Sequence, residues 1–89
     1  MNMEKLTVEK IIAKLQQVLE GEISREEASN WAERAWSIFD REGSLSETDI
    51  TVWKCLDVVM GIDIKDSPTE YLHNEEDIKE WMSRFKKMY

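Results

Sequence analysis

Residues Ile50–Met60 read ITVWKCLDVVM, and this run constrains the chain more than any other. Apolar residues fill Ile50, Val52, Trp53, Cys55, Leu56, Val58, Val59 and Met60. Thr51, Lys54 and Asp57 are three apart and fall on one narrow side of a helix. A helix apolar over most of its circumference is covered by its neighbours. The β-branched and aromatic stretch Ile50–Trp53 also suits a short strand. The length of the run and its terminal signals favour the helix.

The flanking segments read as helices that can wrap such a run. Thr7 is placed to cap a first helix over residues 8–20, with Leu6 and Ile11 as a hydrophobic staple. Val8, Ile11, Ile12, Leu15, Val18 and Leu19 form its stripe, and Gly21 stops it. Ser24–Glu27 (SREE) is a capping box for a second helix from Arg25 to about Arg41. Its inward face is Ala28, Trp31, Ala32, Ala35, Trp36, Ile38 and Phe39, and Gly43 ends it. Ser44 and Ser46 compete to cap the third helix, which Gly61 closes.

Ile62–Asn74 (IDIKDSPTEYLHN) is the least regular part. Ser67-Pro68-Thr69-Glu70 has the form of a helix start with proline at the first position, enough for one turn. Asn74–Asp77 (NEED) opens a fourth helix with Ile78, Trp81, Met82, Phe85 and Met88 on its face. Arg84, Lys86 and Lys87 sit near its carbonyl end, where positive charge is favourable. The expected fold is all-α: one compact four-helix bundle over residues 1–89, with a short irregular segment before the last helix.

The size, 89 residues, allows one core, and 42% hydrophobic content with four tryptophans supplies it. A net charge of −7 points away from nucleic acid and anionic membranes, which need clustered Lys and Arg. The single Cys55 cannot form an internal disulfide and reads as a buried small hydrophobe. Without a signal-like or membrane-spanning run, the chain reads as cytoplasmic.

No Ser–His–Asp or Cys–His arrangement can be assembled, so no catalytic residue, metal or cofactor is expected. The acids of Ile62–Asn74 lack the spacing and central glycine of a calcium loop. Helices two and three, joined by REGSLSE, have the outline of a helix-turn-helix. The would-be recognition helix is the most hydrophobic segment, with Lys54 its only basic residue, so the sequence argues against DNA.

From Asp63 to Glu80, seven acids oppose Lys65 and Lys79, a local net charge of −5. Capping and solvation account for much of this charge. An irregular acidic loop carrying an amphipathic tyrosine is also a surface on which a basic protein can dock. The candidate contact residues are Asp63, Asp66, Glu70, Tyr71, His73 and Asp77. Trp31, at the edge of the second helix's stripe, joins them as a half-exposed anchor. The other tryptophans read as core.

Ile23–Ala32 (ISREEASNWA), Val52–Pro68 (VWKCLDVVMGIDIKDSP) and Tyr71–Trp81 (YLHNEEDIKEW) resemble a family of small, acidic, largely uncharacterised bacterial proteins. A weaker similarity, at Asp66-Ser67-Pro68 and Ile78-Lys79-Glu80-Trp81, is to the colicin-type immunity proteins. These are four-helical inhibitors of basic nuclease toxins. The paired tyrosines of their toxin contact are absent here, and Tyr71 stands alone. This similarity implies an immunity-like inhibitor presenting Asp63–Asp77 to a basic protein. The alternative is a structural, homodimerising helical domain, motivated by the broad apolar face of helix three and the Met88-Tyr89 end.

Overall fold

The computed structural model describes residues 6–41 and 45–88, with the backbone alone at Asp66 and Met88. The four helices are α1 (Val8–Leu19), α2 (Arg25–Arg41), α3 (Glu47–Val59) and α4 (Glu75–Met88). Between the last two lie short strands β1 (Lys65–Ser67) and β2 (Glu70–Tyr71).

Each helix starts where a side chain satisfies the free amides of its first turn. Thr7 Oγ1 accepts from the Lys10 amide at 3.3 Å. Ser24 and Glu27 form a reciprocal box, at 3.0 Å from the Glu27 amide to Ser24 Oγ and 3.2 Å from the Ser24 amide to Glu27 Oε1. Ser46 and Asp49 form another, which settles the contest with Ser44 in favour of Ser46. Asn74 and Asp77 close the fourth, at 2.9 and 3.3 Å. Gly21 takes φ +76°, the left-handed turn that ends α1 and that side-chain-bearing residues avoid. The expected stop at Gly43, Ser44 itself and Tyr89 lie outside the described residues.

The core joins Val8, Ile11 and Leu15 of α1, Ala28, Ala32 and Phe39 of α2, and Val52, Cys55, Leu56 and Val59 of α3. Ile78, Trp81, Met82 and Phe85 of α4 and Ile62 from the connection complete it. The most extensive packing is α2 on α3, followed by α1 on α4. Ser29 Oγ donates to the Met60 carbonyl at 2.8 Å, and Trp36 stacks on Trp53 at 5.4 Å. These two meetings, early-to-late and late-to-early, show that α2 and α3 run antiparallel. Helix α3 is less fully covered than its composition suggests: Ile50 is 37% exposed.

The connection is where the chain departs from expectation. Ser67–Glu70 does not start a helix but turns an antiparallel hairpin, pairing Lys65 with Tyr71 and Ser67 with Glu70 across a register shift. Proline fixes φ near −65° both at a helix start and at the second position of a β-turn, so the local signal is the same for both. The hairpin is continued by the Leu72 amide donating to the Ile64 carbonyl at 2.8 Å.

Leu56 is fully buried at the centre of this core. Leu56→Ala is expected to lower unfolding free energy by about 2–5 kcal/mol, the usual cost of a buried leucine truncated in a close-packed site. A urea titration measures it through the transition midpoint at unchanged slope. Ile50→Ala, on the exposed side of the same helix, should shift the midpoint far less.

Candidate nucleic-acid interface

The acidic connection is held against the start of α2. Arg25, in the first turn of α2, donates Nη1 to the backbone carbonyls of Ile62, at 3.4 Å, and of His73. One guanidinium thus holds both ends of the hairpin connection. The same group lies over the Tyr71 ring at 4.5 Å, with Lys65 Nζ 5.5 Å from that ring. Tyr71 Oη donates to Glu26 Oε2 at 2.6 Å. That bond is the main reason the Glu26 carboxyl is held below its ordinary range, and it pushes the Tyr71 phenol upward.

The residues expected to meet a partner divide as follows. Tyr71 is half-buried and engaged by Arg25 and Glu26. His73 Nδ1 lies 3.4 Å from Asp77 Oδ2, and its ring meets the edge of Trp81 at 4.8 Å. Asp77 serves the Asn74 cap as well. Asp63 is half-buried in the turn after α3, Glu70 is exposed on β2, and Asp66 lies in β1. Trp31 stands apart from all of these, half-buried on α2 beneath Lys14, whose Nζ is 5.3 Å from the ring.

A different face emerges on α2. Its inward side is spent on Ala28, Ala32 and Phe39. Opposite them, Asn30, Arg34, Ser37 and Arg41 follow at i, i+4, i+7 and i+11, one row down the helix. Asn30, Arg34 and Arg41 are exposed, and the row spans about 16 Å at 1.5 Å per residue. No acid lies in it. Ser37 Oγ donates to the Glu33 carbonyl at 2.9 Å, and Ile38 beside the row is 43% exposed. Arg34, Ser37, Ile38 and Arg41 line a shallow depression together with Glu33.

The acids of α2 lie to either side. Glu26, Glu33 and Asp40 are seven apart and share the flank next to Trp36, toward α3. Glu27, a turn before Trp31 on the other flank, accepts from the Ser24 amide. On the opposite flank, toward α1, stand Trp31 and Ile38, with Lys14 reaching across from α1. The row is not evident in the sequence because helical spacing puts Ile38 on the inward face and the net charge of −7 averages over the arginines. The seven-residue spacing of the α2 acids was the available signal.

Cys55 is buried in α3, and desolvation pushes its thiol up to about 11. Among the described residues, no group of three or more His, Cys, Asp and Glu side chains gathers as a metal site would require. No described helix is long and apolar enough to cross a membrane.

A family model described as "YxzC DNA-binding protein" matches residues 3–85. The uncharacterized protein YxzC of Bacillus subtilis (strain 168) is 38% identical over 74 residues, which make up 83% of this chain and 57% of that protein. The chain therefore spans little more than half the length of this relative. No solved structure matches the chain. The resemblance to small, largely uncharacterised bacterial proteins is upheld, and the similarity to colicin-type immunity proteins finds no support in these matches.

The family description overturns two expectations: an immunity-like module for a basic protein, and a surface closed to nucleic acid. The second failed for a physical reason. Net charge averages over the whole surface, whereas a contact is decided by charges within a Debye length, about 8–10 Å in ordinary salt.

Two measurements check this geometry. In Tyr71→Phe the Glu26 carboxylate loses the hydrogen bond that favours its charged form, so its NMR titration midpoint should move up toward the ordinary carboxylate value. The stabilisation from that bond is present above the unfolded-state value and lost as pH falls through the folded one, so wild type and variant should converge in stability at low pH. Cys55 should resist a thiol reagent such as DTNB in the native protein at pH 8 and react fully in denaturant.

Proposed function

This chain belongs to the YxzC DNA-binding protein family, and from that premise we propose that it is a non-catalytic helical domain that contacts DNA through the outward row of α2. The observation that carries the placement is the acid-free row Asn30–Arg34–Ser37–Arg41 on an otherwise acidic protein. Arginine suits this task because its fork of donors matches phosphate oxygens and stays charged at any relevant pH. Ser37 adds a short hydrogen-bonding side chain between the two arginines, and Asn30 adds another one turn before Arg34. Ile38 offers apolar contact to sugar or base at the edge of the row.

Helix α3 is the poorer contact element. Its exposed side carries Lys54 but also Glu47 and Asp57, and its remaining surface is spent on the core. The end of α4 carries Arg84, Lys86 and Lys87, but the last two lie beyond the residues matched by the family. The lack of catalysis is supported by the burial of Cys55 and by the engagement of His73 with Asp77 and Trp81. With a net charge of −7, attraction is local to this face of the protein, so binding should be weak and strongly salt-dependent.

Fluorescence anisotropy with labelled single-stranded and duplex oligonucleotides, across a salt series, tests the proposal. Each phosphate contact contributes about 0.7–0.9 to the slope of log affinity against log salt. Arg34→Gln with Arg41→Gln should therefore flatten that slope by roughly 1.4–1.8, while Lys54→Gln leaves it unchanged. An unaltered slope in the double variant would mean that α2 is the wrong face. If the wild-type chain binds neither probe at low salt, it does not share the activity in its family's description.

A further inference from the structure

The charge distribution around α2 also bears on which form of DNA the row accepts. A helix about 10–12 Å across fills a major groove about 12 Å wide, so phosphates line both of its flanks. The two flanks of α2 are opposite in character. Toward α3, Glu26, Glu33 and Asp40 recur every seven residues and form a continuous negative edge. Toward α1, the edge is Trp31, Ile38 and the Lys14 ammonium, with one carboxylate, Glu27, a turn before Trp31 and accepting from the Ser24 amide. Duplex DNA seated on the arginine row would press one phosphate strand against Glu33 and Asp40, Glu26 being engaged with Tyr71. A single strand can run along the α1 side and avoid them.

That side has the components single-strand grooves use, basic side chains beside an aromatic ring on which a base can stack. Trp31 is half-buried against the core with the Lys14 ammonium over its ring, the position a stacked base would take as Lys14 turns to a phosphate. Arg34 and Arg41 lie two helical turns apart, about 10 Å, on the same side of the acidic edge. We infer that the α2 face takes single-stranded rather than duplex DNA. Arg34, Arg41 and Lys14 hold its phosphates, Trp31 stacks one base, and the Glu33–Asp40 edge excludes the second strand. This inference rests on the DNA-binding reading above and names the form of its ligand.

The test compares one mixed-sequence oligonucleotide with its own duplex, at the same low salt, by anisotropy. The single strand should bind at least about fivefold more tightly, the lower end of the effect of one base stacked on an aromatic ring. Glu33→Gln with Asp40→Asn should tighten duplex binding and narrow the gap, since both acids are exposed and their removal leaves the core intact. Trp31→Phe should retain the preference, and Trp31→Leu should weaken the single strand more than the duplex. A duplex bound as tightly as the single strand, or a gap unmoved by removing the two acids, overturns this inference and leaves DNA binding standing. Failure of both probes to bind overturns the DNA-binding reading itself, and this inference with it.

Discussion

The burial of α3 is the constraint on which the rest of the molecule depends. Val52, Cys55, Leu56 and Val59 are almost wholly removed from water, and no single neighbour could cover them. Helix α2 takes the largest share, lying antiparallel along α3 with Ala28 and Ala32 facing inward. Small residues let the two backbones approach, and the Trp36–Trp53 stack fills the space further along. Side chains at this density move little, so the orientation of α2 about its own axis is set by its packing. Once that orientation is set, so is the identity of every residue facing water.

The outward face of α2 is thus a by-product of core packing. With one side committed to α3, the other presents Asn30, Arg34, Ser37 and Arg41 as a row. The acids that make the protein electronegative are displaced to one flank or into caps. A rotation of α2 by one residue, about 100°, would bury Arg34 or expose Ala32. Both are costly, the first because an unpaired buried charge is poorly tolerated and the second because apolar area is lost. Core and surface charge therefore specify the same orientation, and a consistent sequence of this kind favours one packed state.

Arg25 performs a different task at the other end of α2. Its guanidinium satisfies two backbone carbonyls, Ile62 and His73, that flank the hairpin, while its plane covers Tyr71. A connection of this length without regular structure would leave its ends poorly tied. Here a single planar group with several donors joins them to a helix. Tyr71 and His73, which in the sequence stand out as contact residues, turn Oη and Nδ1 toward Glu26 and Asp77.

The four helices were legible in the sequence because each is bounded by local chemistry. Thr7, Ser24, Ser46 and Asn74 cap within three residues of themselves, and the apolar spacing between caps repeats at the helical period. The sequence also contained the seven-residue spacing of Glu26, Glu33 and Asp40, which separates acids from arginines on one helix. Tertiary structure alone decided three further points. The hairpin at Lys65–Tyr71 depends on Arg25, some forty residues away, and Ser67-Pro68 supports a turn as readily as a helix start. Ile38 and Trp31 have helical positions compatible with either face, and only the placement of α1 and α3 determines how much of each stays in water. The arginine row becomes a surface feature only after the core has chosen which side of α2 to bury. Local periodicity sets what a helix offers, but burial depends on contacts far apart in the chain.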